Sequence, residues 1–231
     1  MASLIQTRKL SHLGLNVRDI DAQTAFYRDC VGLQVERRDA ADRVYLRCSE
    51  EHHALILIPS NHENSHRLHH HALDVGSREA LEEGITALLR AGIPLLELDF
   101  DELGQPAACR FHDPNQFVVE LVANMEKGTA PIGPRAVTPR RYGHLTLRVN
   151  DLKETVEFYR EILGFRESDW LGEQFCWLRC TPEHHGLALS AHARAPMMHH
   201  LAFHVRDIGE LVQQAEHLMR HDRHLLYGPG R

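Results

Sequence analysis

Alternating hydrophobic and polar residues predict a strand near the start of the chain. Leu13, Leu15 and Val17 alternate with smaller or polar side chains, which is the pattern of a half-buried strand. Hydrophobic residues at helical spacing follow, and Asp19 and Gly32 stand where a helix N-cap and a left-handed stop belong. The first segment is therefore predicted to be a strand that leads directly into a helix.

The same pattern returns at a constant offset of 132 residues, the distance from residue 12 to residue 144. Residues 12–19 match 144–151, and residues 51–53 match 183–185. One shift that holds over such a distance without gaps indicates that the chain is a duplication.

A weaker similarity divides each copy into two units. Histidine-containing strand patterns also occur at 69–75 and 199–205, and the helical patterns after them begin at Ser77 and Asp207. The chain thus contains four units, each a strand, a helix and a few further strands, with about 55–60 residues apiece. The further strands are predicted at 44–48, 54–58, 117–122, 175–178 and 187–190.

These units predict an α+β fold of tandem βαβββ modules paired into two domains. Proline and glycine accumulate between 127 and 139, which is typical of a linker. We expect an N-terminal domain at 1–123, a linker at 124–141 and a C-terminal domain at 142–231.

One feature of the first copy has no counterpart in the second. The turn at 113–115 leads into a strand that carries Glu120. The offset places the counterpart of Glu120 at position 252, beyond Arg231. The fourth module is therefore expected to be incomplete and to leave an unpaired sheet edge, and the chain to be a fragment of a longer product.

Composition narrows the classes of protein to consider. The 231 residues are 43% hydrophobic and 25% charged, which is typical of a globular protein. The formal net charge of −6 gives no sign of the basic surface that binds nucleic acids. No run of about 18 apolar residues predicts a membrane span, and the first residues do not resemble a secretory signal. Five cysteines without framework spacing favour a reducing compartment, the cytoplasm. Histidine, with 19 residues, is the outlier.

Two histidines occupy matching positions on predicted strands. His144 and His200 each lie on the first strand of a unit, on the face away from the helix. If two units pair side by side, these imidazoles converge. A carboxylate on a third strand would then complete the two-histidine, one-carboxylate set that holds Fe(II) with open positions for oxygen chemistry. A hydrogen-bonded strand histidine is the alternative for either residue alone, but the matching positions favour ligands.

These features resemble the vicinal oxygen chelate superfamily, and within it the type I extradiol ring-cleavage dioxygenases. The resemblance covers nearly the whole chain. It rests on the βαβββ repeats, on the strand pattern at 144–149, on the segment 199–203 and on the final Gly-Pro-Gly-Arg at 228–231. It implies the paired-module fold and a second domain that carries the metal.

The resemblance also implies a site and a reaction. His144 and His200 match the family's two histidine ligands, His185 matches its acid–base histidine, and a glutamate on the closing strand is its third ligand. A catechol-type substrate and O2 would meet at a non-haem Fe(II), with Mn(II) as the alternative metal. The ring would open to a hydroxymuconic semialdehyde-type product, as in aromatic hydrocarbon catabolism. Trp177 is a candidate wall of the aromatic pocket. A homo-oligomer is expected, with neither a nucleic acid nor a membrane as partner.

The first domain carries a complete set of candidate ligands of its own. These are His12, His70 and Glu120, with His53 at the position that corresponds to His185. In the family that the chain resembles, the first domain is usually a metal-free relic, so these residues are expected to be inherited and unused. In a protein that consisted of these 231 residues alone, this would be the only intact set.

Two other functions stay open. A glyoxalase-type isomerase or lyase of the same superfamily would place another carboxylate on the strands at 54–58 and 187–190, where the sequence has none. A drug-binding resistance protein of the same fold needs no metal, so this function does not explain the histidines on both first strands.

Two other kinds of metal site are disfavoured. A metal-storage histidine tract at 52–71 is disfavoured by its strand pattern. A structural zinc at Cys176 and Cys180 lacks a second cysteine pair.

Overall fold

The chain forms two β-sheets, one in each copy of the duplication, with helices packed against them. The structure, a computed structural model, describes residues 3–61, 67–98, 101–133, 137–194 and 196–226. The first copy contains β1 (Lys9–Val17), α1 (Ile20–Ala25), a π-helical turn (Phe26–Val31), β2 (Gln34–Arg38), β3 (Val44–Arg47), β4 (Leu55–Pro59), β5 (Leu68–Asp74), α2 (Arg78–Arg90), β6 (Leu95–Leu98), β7 (Ala107–His112) and β8 (Val118–Ala123). The second copy contains β9 (Arg141–Val149), α3 (Leu152–Glu161), β10 (Arg166–Leu171), β11 (Phe175–Arg179), β12 (Leu187–Ala191), β13 (Met197–His204) and α4 (Ile208–Arg220).

The strand order places the first strands of two units side by side in each sheet. The first sheet has the order β2-β3-β4-β1-β5-β8-β7-β6, and the second has the order β10-β11-β12-β9-β13. β1 pairs antiparallel with β5, and β9 pairs antiparallel with β13. The predicted α+β fold of paired modules is confirmed. Within the described ranges, β13 forms an edge of its sheet, whereas β5 also pairs with β8.

The helices begin at the capping residues that the sequence predicts. Gly32 ends the first helical segment in the left-handed conformation, at φ 91°. The structure differs from the prediction in one respect, because this segment is α-helical only to Ala25 and π-helical to Val31. No helix in the described parts of the chain is both long and apolar enough to cross a membrane. The N-cap side chains that accept a hydrogen bond from a backbone N–H of the first turn are Asp19, Ser77, Asp151 and Asp207.

The two copies are in direct contact through α3 and the N-terminal segment. Tyr159 of α3 is fully buried, and its hydroxyl donates to Asp113 Oδ2 at 3.2 Å and lies 2.9 Å from His71 Nε2. The backbone N–H groups of Leu4 and Ile5 donate to two carbonyls at the end of α3, at 3.0 and 2.8 Å. These carbonyls belong to the last turn, which a helix leaves without internal partners. The second copy is therefore anchored on the first.

Candidate metal centres

Two strands of the second sheet bring His144 and His200 together. His144 lies on β9 and His200 on β13, where His200 is opposite Thr146 in the antiparallel register. The two Nε2 atoms are 3.0 Å apart, and Thr146 Oγ1 is 3.2 Å from His200 Nε2. The imidazoles therefore converge, as the strand faces predict.

The surroundings of this pair favour the neutral imidazole. Burial, with help from the neighbouring His185 and His200, lowers the pKa of His144 to about 3. Burial also lowers the pKa of His200. Metals bind the neutral form of histidine, and two nitrogens bound to one ion at about 2.1 Å and a right angle stand about 3.0 Å apart. The pair fits a first-row metal in both protonation and spacing.

His185 and an aromatic surface lie beside the pair. His185 is half-buried just before β12, and its ring centroid is 4.6 Å from that of His144. Its Nδ1 is 3.0 Å from Nδ1 of His184, a contact that fixes the orientation of the ring. On β11, the rings of Phe175 and Trp177 are 4.4 Å apart, and Trp177 is 6.1 Å from the ring of His184. The three predicted site residues thus lie together, and Trp177, the predicted aromatic wall, reaches them through His184.

The carboxylate of this centre stays a prediction. Among the residues that the structure describes, no acidic side chain joins His144 and His200 in a compact group of three ligand atoms. The position that corresponds to Glu120 is 252, outside these 231 residues. Residues 227–231, with the Gly-Pro-Gly-Arg motif, and residues 62–66 of the histidine-rich segment lie outside the described residues.

The first sheet holds a fuller group of ligand atoms. His12 on β1, His70 on β5 and Glu120 on β8 are fully buried, and Glu102 joins them from the segment before β7. One ligand atom from each of these four residues lies within 4.8 Å of all the others. The Nε2 atoms of His12 and His70 are 3.1 Å apart, and Glu120 Oε1 is 3.3 Å from His12 Nε2. The fold therefore brings together the candidate ligands that the sequence analysis finds in the first domain.

Sequence reasoning missed two members of this cluster, Glu102 and Arg110. Arg110 lies opposite Glu120 in the β7–β8 register, and its Nη2 is 2.7 Å from the carboxylates of both Glu102 and Glu120. Burial, together with the charge of Glu120, raises the pKa of Glu102. A charged residue within a buried strand is a signal that could have indicated Arg110, whereas a glutamate in a loop gives none.

Gly14 and His53 complete the surroundings of the cluster. A Cβ atom at position 14 would lie 2.5 Å from His70 Cε1, so only glycine lets the imidazole approach β1 this closely. His53, the counterpart of His185, is buried with its ring centroid 4.3 Å from that of His12. The two centres thus have the same arrangement, with a histidine pair on adjacent first strands and a further histidine beside it.

Comparison with known families accounts for the matching arrangement of the two histidine pairs. The family described as the Glyoxalase/Bleomycin resistance protein/Dioxygenase superfamily matches residues 9–121 and 141–231. The chain belongs to this superfamily. The two matched ranges coincide with the two copies of the duplication, each of which carries one histidine pair.

Several characterised members of the superfamily align along most of the chain. It is 27% identical to a manganese-dependent 2,3-dihydroxybiphenyl 1,2-dioxygenase of Geobacillus genomosp. 3, over 96% of this chain and 77% of that protein. It is also 27% identical to an iron-dependent extradiol dioxygenase of Rhodococcus jostii, over 78% of this chain and 67% of that protein. Among solved structures, an Mn(II)-bound glyoxalase from Novosphingobium aromaticivorans superimposes with a TM-score of 0.87 at 26% identity, over 98% of this chain and 75% of that one.

Proposed function

We propose that this protein is an extradiol dioxygenase. It opens the ring of a catechol-type diol with O2, at a non-haem Fe(II) or Mn(II), to a hydroxymuconic semialdehyde-type product. The observation that carries the proposal is the pair of Nε2 atoms of His144 and His200, 3.0 Å apart beside His185. Two relatives that align with most of the chain are named dioxygenases, one manganese-dependent and the other iron-dependent, and they support both the reaction and the choice of metal.

His144 and His200 would hold the metal as two of its ligands, with the carboxylate predicted at position 252 as the third. The neutral imidazoles and their spacing support this assignment. When bound, the ion supplies Lewis acidity, which lowers the pKa of a diol hydroxyl, and open positions for the diol and O2.

Proton transfer is assigned to His185. Its ring lies against that of His144, within reach of a diol held beside the histidine pair. His184 contacts Nδ1 of this ring, and an imidazole can take up and return a proton near neutral pH. The flat rings of Phe175 and Trp177 form a wall that suits an aromatic substrate.

The organisation of the chain follows from the same proposal. The N-terminal domain at 1–123 is non-catalytic, the linker at 124–141 connects it to the catalytic domain, and the catalytic domain occupies 142–231. All five cysteines are free, which supports a place in the cytoplasm. The partners are the diol and O2, with a homo-oligomer as the assembly and no role for nucleic acid or membrane.

A glyoxalase-type isomerase or lyase is the second candidate function. The similarity to the Mn(II)-bound glyoxalase favours it. The strands that would carry its additional carboxylate are β4 and β12, with the sequences LILIP and LALSA, and neither contains an acidic residue. The dioxygenase therefore remains the better supported function.

Replacement of both ligand histidines tests the proposal. The protein extended past Arg231 to include the carboxylate predicted at position 252, and supplied with Fe(II) or Mn(II), is expected to convert catechol or 2,3-dihydroxybiphenyl into a yellow product with matching consumption of O2. The double variant His144→Ala/His200→Ala is expected to lose about a hundredfold or more of this rate, because two ligands are removed. His221→Ala, at an exposed histidine after α4, is the matched control and is expected to keep the wild-type rate. Ring opening by the double variant at the wild-type rate contradicts the proposal.

A further inference from the structure

A buried cluster in the first sheet has no part in the proposed reaction. His12, His70 and Glu120 are fully buried, and Glu102 exposes only 8% of its surface. We infer that these four residues bind a divalent first-row transition-metal ion of their own, separate from the ion at His144 and distinct from it in function. Imidazole and carboxylate together suit Mn(II), Fe(II) and Zn(II).

The spacing of the ligand atoms suits a single ion. Two ligand atoms at about 2.1 Å from a metal stand about 3.0–3.4 Å apart in octahedral or tetrahedral geometry. His12 Nε2 is 3.1 Å from His70 Nε2 and 3.3 Å from Glu120 Oε1. Glu120 Oε2 and Glu102 Oε2 are 3.7 and 3.9 Å from His70 Nε2, so small side-chain rotations bring both carboxylates to the same ion.

The cluster also has a polar atom that lacks the partner an ion would supply. Glu120 Oε1 is buried and accepts no hydrogen bond among the described residues, although His12 Nε2 is 3.3 Å away. A buried carboxylate oxygen without a partner is strongly unfavourable. The facing Nε2 atoms of His12 and His70 can share only one proton, whereas a cation accepts the lone pairs of both nitrogens and of the carboxylate oxygen.

Arg110 neutralises only part of the negative charge. Its guanidinium is 2.7 Å from the carboxylates of both Glu102 and Glu120, so one positive group faces two carboxylates in a buried region. Buried charge without full compensation is costly. The guanidinium approaches His70 at Nδ1, at 3.3 Å, whereas Nε2 of that ring points to His12. The Nε2 side of His70 is therefore available to a cation.

The position of the cluster gives the ion a structural role. Its ligands come from β1, β5, β8 and the segment before β7, so the ion would cross-link four parts of the N-terminal half. The backbone N–H of Leu103 donates to Tyr45 Oη at 3.3 Å, and Gln105 Nε2 donates to Glu102 Oε2 at 2.9 Å. These bonds hold the segment over the cluster and separate the ion from a substrate in solvent.

Manganese binding to the protein stripped of metal tests the inference, with free Mn(II) followed by electron paramagnetic resonance. The wild type, extended past Arg231 to include the carboxylate predicted at position 252, is expected to bind two Mn(II) per chain, and the variant His144→Ala/His200→Ala of the same length to bind one. A wild type that binds one ion, lost in that variant, overturns the inference and leaves the proposed function standing. A single ion that persists in the variant supports the inference and counts against the metal centre of the proposed function.

Glu102→Gln identifies the site without altering the size of the side chain. In the double-variant background it is expected to weaken Mn(II) binding by about tenfold or more, whereas Glu82→Gln, at an exposed position on α2, leaves binding unchanged. Mn(II) at about a hundred times its Kd is expected to raise the Tm of the double variant by roughly 5–10 °C. Unchanged binding after Glu102→Gln, in a variant whose circular dichroism matches the parent, overturns the inference, and so does a Tm that does not respond to Mn(II).

Discussion

Single side chains make the two histidine pairs different. Position 14 is glycine, and its counterpart at position 146 is threonine. The ring of His70 lies against the bare backbone of Gly14, whereas the hydroxyl of Thr146 is 3.2 Å from His200 Nε2. The two rings therefore pack against different side chains on the neighbouring first strand.

Gly14→Ala is expected to displace His70 and to destabilise the N-terminal half. The added methyl group would lie 2.5 Å from His70 Cε1, and such overpacking costs about 1–3 kcal/mol. Urea unfolding measures the change in the free energy of unfolding, and Mn(II) titration measures the affinity of the first-sheet cluster, which is expected to fall.

The same chemical change at Gly84 is the control for Gly14→Ala. A Cβ atom there would meet Ile5 Cγ1 at 3.5 Å, an ordinary contact in the interior of α2. Gly84→Ala is therefore expected to stabilise the chain by about 0.5–1 kcal/mol. Equal stability of Gly14→Ala and the wild type, with unchanged Mn(II) affinity, contradicts the close approach of His70 to β1.

At the level of elements, the hydrophobic pattern predicts the interior strands and misses three at sheet edges. β2, β6 and β10 are each the last strand of a sheet. An edge strand pairs on one side only and tolerates polar residues along its length. In β2 and β10, all side chains are exposed or half-buried, so their sequences lack the alternation that marks a buried face. β7 lies inside the first sheet and is missed for another reason, because Arg110 interrupts its apolar run.

The repeats explain how much of the sites could be predicted. Corresponding positions on paired first strands must lie close together, so the sequence predicts the convergence of the histidines in each half. Glu102 belongs to a loop that only the folded chain brings over the cluster, and no spacing rule predicts it. The histidines that the repeats place correctly are His12, His70, His144 and His200.

The turn between β7 and β8 gives the stability of the chain a specific pH dependence. Burial raises the pKa of Asp113 to about 6, even though its carboxylate accepts hydrogen bonds from two backbone N–H groups and from Tyr159. The folded chain thus holds this proton more tightly than the unfolded chain, whose aspartates titrate near pH 4. Unfolding releases the proton between these values, so the contribution of Asp113 to stability falls as the pH rises from about 4 to about 6.

Asp113→Asn is expected to remove this loss of unfolding free energy between pH 4 and pH 6. The amide oxygen can still accept from the backbone of the turn, and the amide carries no charge to bury. Between pH 4 and pH 6 the wild type is expected to lose roughly 2–3 kcal/mol of unfolding free energy relative to the variant. Urea unfolding at a series of pH values measures this difference. Parallel stability curves for the two proteins would mean that Asp113 ionises normally in the folded chain.

Across the whole molecule, we assign different roles to the two copies of the duplicated histidine site. In the first sheet, β5 is paired on both sides and the segment before β7 closes over the cluster, which suits an ion that holds the fold together. In the second sheet, β13 is an edge strand within the described residues, and the histidine pair lies beside His185. We therefore assign the buried cluster of the first sheet to stability, and the His144–His200 pair beside His185 to reaction with the diol and O2.

Anomalous diffraction at the manganese absorption edge, from crystals of the Mn(II)-loaded protein, tests the assignment of the reactive centre most directly. We expect a peak about 2.2 Å from Nε2 of both His144 and His200, with a second peak among the ligands of the first sheet. Full manganese occupancy at a site in the first sheet or elsewhere, with no peak between His144 and His200, would contradict the assignment of the reactive centre.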